Sequence, residues 1–389
     1  MFSRRVPRSL EPTRLAGAAH ARRSGGPPFI DLTESNPTRV GFRYDHDLLR
    51  PMGDPAALVY SPAPLGHPAA REAVSTDYAR RGVAVAPGRI VITASTSESY
   101  SFLFKLLCDP GDAVLVPQPS YPLFAYLTRL DGIAGRPYVL DAADGWAPDV
   151  QALERLVDGR TRAVLAVSPN NPTGTRLRRG VLRDLAAFCA RHGLALVGDE
   201  VFADYVLAEP TDAARSVLEQ DEALTFSLGG LSKTVGLPQL KLGWIAAGGP
   251  EAIVRRALAR LEVVADAYLS AGTPVQGCAA HLFEHGAAVR EQILERVRRN
   301  LRLLHDAAAG VPACRVPAVE GGWSAVIQAP AVAPDEARAM ALLEEADVLV
   351  HPGSLFDFER EGYFVVSLLP EPVRFEAGIG RLLAALGAS

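Results

Sequence analysis

The chain has 389 residues, more than one compact core usually holds, so two lobes, or a large domain with a smaller one attached, are expected. Apolar residues make up 48% and charged residues 22%, with a formal net charge of -4, which argues against a disordered chain and against a nucleic-acid partner. No apolar stretch approaches the roughly 18 residues that span a bilayer, and four dispersed cysteines (Cys108, Cys189, Cys278, Cys314) without a CxxC fit reduced thiols in a cytoplasmic protein.

Residues 1–28 carry six arginines against one acid, Glu11, and end in Ser24-Gly25-Gly26-Pro27-Pro28, which reads as a disordered tail. A transit peptide is also Arg-rich and acid-poor, but the whole chain prefers arginine: of 40 Lys plus Arg, only Lys105, Lys233 and Lys241 are lysine. Residues 29–50 read as an arm that joins the smaller lobe. From there to about residue 283, short apolar runs (Ile90–Ile92, Ala113–Val116, Ala163–Val167, Leu194–Val197, Leu224–Phe226, Trp244–Ala247) alternate with amphipathic stretches such as Ser99–Leu107 and Arg178–His192. Continuous apolar strands separated by helices predict a large domain with a mostly parallel sheet covered on both faces. Residues 284–389 change pattern, to a long charged helix over Val289–Ala308 and short strands at Trp323–Ile327 and Tyr363–Leu368, and read as a small α+β domain.

Parallel sheets bind ligands at the carboxyl ends of their strands. There the sequence places Ser95 and Thr96 before a helix, an arrangement that offers hydroxyls, amides and a positive helix end to an anion. Ser168-Pro169-Asn170-Asn171-Pro172-Thr173-Gly174 follows the third run; Gly198-Asp199-Glu200 ends the fourth; Gly229-Gly230-Leu231-Ser232-Lys233-Thr234 puts a lysine in a glycine-flanked loop. An anion cradle, a turn asparagine, a strand-end aspartate and a lysine are the parts needed to hold pyridoxal phosphate (PLP), with the lysine as Schiff-base partner and the acid opposite the ring nitrogen.

Through SPNNPTG, GDE and GLSKTVGLPQLKLGW the sequence resembles the fold-type I PLP-dependent enzymes of the class I/II aminotransferase family, from Phe29 to the C-terminus. The resemblance implies an α/β fold with a mostly parallel seven-stranded sheet between helices in the large domain. It implies a homodimer with a shared active site, acting on an amino acid and a 2-oxo acid. It makes Lys233 the Schiff-base lysine, Asp199 the pyridinium partner and Asn171 a donor to the ring's 3-oxygen. Tyr121 falls where the family stacks an aromatic ring, Ser95, Thr96 and Ser232 at phosphate positions, and Tyr60 where a tyrosine reaches the neighbouring subunit's phosphate.

Three departures bear on function. Phe202 stands where a tyrosine usually bonds the ring oxygen, Lys241 where an arginine pairs with the phosphate, and Val365 where an arginine clamps the substrate carboxylate. One or both of the arm residues Asn36 and Arg39 are the expected replacement for that clamp, the alternative being an amine or modified amino acid as substrate, with no α-carboxylate there. The lost arginine keeps a lyase, cyclase or oxidase open beside the aminotransferase, while intact Lys233, Asp199 and Asn171 argue against a catalytically silent PLP-binding protein. His281-Leu282-Phe283-Glu284-His285 matches an HxxEH zinc pattern without an identifiable third ligand, and Gly229–Thr234 lacks the glycine that precedes a P-loop lysine.

Overall fold

The computed structural model describes residues 1–387. In chain order its strands are β1 (Ile30–Asp31), β2 (Ile90–Thr93), β3 (Ala113–Gln118), β4 (Ala134–Val139), β5 (Thr161–Val167) and β6 (Ala195–Asp199). They continue as β7 (Thr225–Gly230), β8 (Gly243–Gly248), β9 (Ser324–Gln328), β10 (Val348–Leu349), β11 (His351–Pro352) and β12 (Tyr363–Ser367). Seven of these form one sheet in the order β2-β8-β7-β6-β5-β3-β4, in which β8 runs antiparallel to both neighbours and the other pairs are parallel.

Every residue of β2, β6, β7 and β8 is buried, because helices cover both faces, and for that reason these segments read as unbroken apolar runs. Successive side chains go to opposite layers: Val197, Phe226 and Ile245 pack beneath helices 96–107 and 251–266, while Leu196 packs against helix 179–192 and Trp244 against helix 68–80. A Leu or Phe buried in such a layer contributes about 1.5–3 kcal/mol. β4 lacks that signature. It reads Ala-Gly-Arg-Pro-Tyr-Val, lies at the sheet edge with most residues exposed, and tolerates Pro137 because an edge strand has one side without ladder partners.

In the smaller lobe, β9, β11 and β12 form an antiparallel sheet in the order β11-β12-β9, and β1 of the N-terminal arm pairs in parallel with β10. The long helix is Ala279–Ala309, longer than its charged stretch predicts, and the boundary expected between residues 283 and 284 falls inside it. Within the first 28 residues, whose composition predicts a disordered tail, Arg14–Arg23 form a helix. Thr13 caps it, Leu15 and Ala19 one turn apart are buried in the small-lobe core, and Arg22 bonds the Leu343 carbonyl and the Asp347 carboxylate. Among the described residues, no helix is long and apolar enough to cross a membrane.

Candidate active site

A cavity of about 540 Å³ opens at the carboxyl end of the large sheet and is closed above by the small lobe. The residues following β2, β3, β5, β6 and β7 all contribute to it, since these strands point the same way and end at one edge.

At its centre are Lys233 and Asp199. The lysine is not in a loop as expected: Gly229 and Gly230 complete β7, and Ser232 and Lys233 lie in the single helical turn Leu231–Thr234. Gly229 is required by packing, because a Cβ there would come within 2.5 Å of the Trp244 ring. The Lys233 Nζ faces two aromatic rings, 4.6 Å from the Trp323 centroid and 5.6 Å from that of Phe202. Burial lowers its pKa to about 8, opposed by the Asp199 charge. Asp199 ends β6, where its carboxylate accepts from the Tyr100 hydroxyl at 2.9 Å and the Val201 amide at 3.2 Å. Burial nevertheless pushes its pKa up to about 6, against the pull of those two bonds and of Lys233. An amine with a pKa near 8 is a usable nucleophile and base around neutrality, and a buried carboxylate of raised pKa is a site for a cationic partner.

One end of the cavity suits an anion. Ser95 caps the helix Thr96–Leu107 by accepting from the Glu98 amide at 3.2 Å, which leaves the Thr96 and Ser97 amides at a helix N-terminus without intrahelical acceptors. Ser232 and Lys241 line the same cavity, Lys241 from a left-handed backbone position (φ 53°) just before β8. Gly243 and Gly230 permit this convergence: a Cβ on Gly243 would stand 2.8 Å from the Ser95 carbonyl carbon, and one on Gly230 would stand 3.4 Å from Thr96 Oγ1. This donor set, with hydroxyls, free helix amides and one ammonium, fits a phosphate. Asn171 and Tyr121 line the cavity as well.

Three expected site residues lie elsewhere. Tyr60 is 76% exposed and borders a separate surface depression with His67 and Gln276. Asn36 caps the turn Pro37–Arg39, its Oδ1 accepting from the Thr38 amide at 3.0 Å and the Thr38 hydroxyl at 2.8 Å. That turn carries Arg39 out to solvent, so neither residue lines the cavity, and the arm contributes Thr33 and Ser35 instead. The sequence reading missed Tyr100, Trp323, Ser324, His351 and Ser367, all of which line the cavity. For Trp323 a signal existed in Gly321-Gly322: a Cβ on Gly321 would lie 2.6 Å from Pro169 and 2.7 Å from the Tyr205 carbonyl, so this glycine lets the small lobe close on the SPNNPTG loop. His281 and His285 of the HxxEH pattern lie one turn apart on a helix with their rings tilted against each other, centroids 4.1 Å apart.

A lysine of lowered pKa opposite a buried aspartate, at this edge of this sheet and next to a phosphate-shaped end, defines the class as a fold-type I PLP enzyme. The family model for aminotransferase class I and II matches residues 53–374, and the chain belongs to that family as a PLP-dependent aminotransferase. It is 28% identical over 334 residues to the aspartate/prephenate aminotransferase of Thermus thermophilus, covering 84% of this chain and 83% of the relative. It is 27% identical over 384 residues to an alanine aminotransferase of Mycobacterium tuberculosis, covering 93% and 87%. Among solved structures, an alanine aminotransferase from Pyrococcus furiosus superposes with a TM-score of 0.88 over 100% of both chains at 22% identity, a likeness that establishes the fold alone.

Proposed function

We propose that this chain holds PLP in the cavity and transfers an amino group from an amino acid to a 2-oxo acid, with Lys233 as the catalytic amine and Asp199 as the partner of the ring nitrogen. The observation that carries the reading is the Lys233–Asp199 centre, in which burial moves both groups toward neutrality from opposite sides. Bound PLP supplies an electron sink for the pair left at the substrate Cα. Lys233 would hold the cofactor, and its Nζ would take and return the substrate Cα proton. Asp199, oriented by Tyr100, holds a proton on the ring nitrogen. Asn171 would donate to the ring's 3-oxygen, Tyr121 would cover the ring face, and Ser95, Thr96, Ser232 and Lys241 would bind the phosphate. Tyr60, exposed on the single chain, completes the phosphate site of a second copy in a cytoplasmic homodimer. The names of the relatives point to small or acidic amino acids and their 2-oxo acids as the first substrates to test.

The test is spectroscopic. Adding an amino donor to the PLP-loaded protein should remove the cofactor's visible absorption, and a 2-oxo acid should restore it. Product formation with no requirement for a 2-oxo acid favours a lyase or cyclase, and no spectral response to any donor refutes the assignment.

A further inference from the structure

The cavity contains two lysines, both assigned above, and no arginine among its lining residues. A carboxylate taken into such a site without a cationic partner is costly. Val365, on β12 and 1% exposed, lines the cavity and offers no charge. Its direct partner across the small sheet is His351 on β11, which lines the same cavity. Two residues along β12, on the same face, Ser367 pairs with Ser324 of β9; both residues also border the cavity, and the Ser367 hydroxyl accepts from the Leu369 amide at 3.2 Å, which leaves its proton to donate. Directly opposed residues of antiparallel strands have Cβ atoms about 4.5–5.5 Å apart, so an imidazole at 351 reaches the space in front of Val365.

Resting on the aminotransferase reading, we propose that His351 receives the substrate carboxylate, with Ser324 and Ser367 flanking it, so that the recognising cation stands on β11 rather than β12. Phe356 holds the imidazole edge-on, with ring centroids 5.8 Å apart. The charged group acting on it is Asp31 of β1, which favours its protonated form. That carboxylate is already engaged by the Thr33 amide at 2.9 Å, the Thr33 hydroxyl at 2.6 Å and Arg23 at 2.5 Å. On helix 335–345, which packs against β11, Asp335 is occupied by the Gly362 and Tyr363 amides. Lys233 is the other cation of the central site. Burial draws the His351 pKa below its ordinary value and so favours the neutral imidazole before a carboxylate arrives. An arriving carboxylate favours the imidazolium, and binding therefore takes up a proton and weakens as pH rises.

The experiment compares PLP-loaded wild type, His351→Gln and His351→Leu. The substrates are the best α-amino acid donor of the wild type and the amine that lacks its carboxylate. Loss of one charge-assisted hydrogen bond corresponds to a rise of about tenfold to a hundredfold in KM for the amino acid. The amine's KM and the kcat of either donor should change by less than a few-fold. In parallel, calorimetry with propionate in two buffers of different ionisation heat should show uptake of about one more proton by the wild type than by His351→Gln. Equal losses for both donors, an unchanged KM for the amino acid, or proton uptake that persists in His351→Gln would overturn the assignment. If the wild type accepts no amino donor, the aminotransferase reading fails, and the propionate arm still decides whether His351 binds a carboxylate.

Discussion

Replacing Asp199 by asparagine should stabilise the cofactor-free protein while disabling the enzyme. In the folded chain burial raises the Asp199 pKa from 3.8 to about 6, so the charged form is disfavoured by folding. The raised pKa belongs to an acid, so its contribution is greatest below pH 3.8, where the group is neutral in both states, and is lost as pH rises through 6. A shift of that size corresponds to roughly 3 kcal/mol at pH 8. Asparagine keeps one oxygen for the Tyr100 hydroxyl, gives up the acceptor that faces the Val201 amide, and carries no charge, so the gain is at most this size. At about 2.1 cal/mol/K per residue for the unfolding entropy, 3 kcal/mol in a chain of this length is a rise in Tm of about 4 °C. About half of the effect should remain at pH 5 and little at pH 4. Circular-dichroism melts of PLP-free wild type and Asp199→Asn across that range measure it, and the PLP-loaded variant should lose roughly a hundredfold or more in kcat. A variant no more stable at pH 8, or one whose gain is the same at every pH, would refute burial as the source of the shift.

Lys241→Ala should raise the apparent Kd for PLP by about tenfold or more, the worth of a charge-assisted hydrogen bond; unchanged affinity in an equilibrium titration would remove the residue from the phosphate site. Arg39→Ala should leave kcat/KM within about twofold for every donor, since an exposed side chain away from the cavity contributes little. A selective loss with amino acids would show that the arm closes differently during turnover. Phe202→Tyr should lower the pH midpoint of the bound cofactor's visible absorption by roughly half to one unit, as a phenol donor to the 3-oxygen favours its deprotonated form. Tyr205 does not already fill that position, because its hydroxyl donates to the Lys233 carbonyl at 2.6 Å. An unchanged midpoint would mean that a hydroxyl at 202 does not reach the cofactor.

Much of this site was legible because its residues are the chain's own continuation of buried strands. Asp199 is the last residue of β6, Ser95 and Thr96 follow β2, and Lys233 comes three residues after β7. Reading a strand end from an apolar run therefore brings those side chains to the same edge. Tyr100, Trp323 and His351 were not legible in that way. Tyr100 enters because one helical turn beyond Thr96 points back at β6, and Trp323 and His351 enter only when the small lobe folds over the sheet. Asn36 and Arg39 stand outside the cavity for a local reason: Asn36 satisfies the Thr38 amide of its own turn, a competition between cap and ligand that composition does not reveal. The arginine-rich start hid a helix in the same manner, since its buried residues are only Leu15 and Ala19.

The central claim is that Lys233 makes this cavity an amino-group transferase. The most direct measurement incubates the PLP-loaded protein with a ¹⁵N-labelled amino acid and an unlabelled 2-oxo acid and follows the label by mass spectrometry. Wild type should place ¹⁵N on the carbon skeleton of the 2-oxo acid, and Lys233→Ala should fold, retain bound PLP without a covalent link, and transfer no label. Label transfer by Lys233→Ala at a near-native rate, or none by the wild type with any donor tested, would contradict the account.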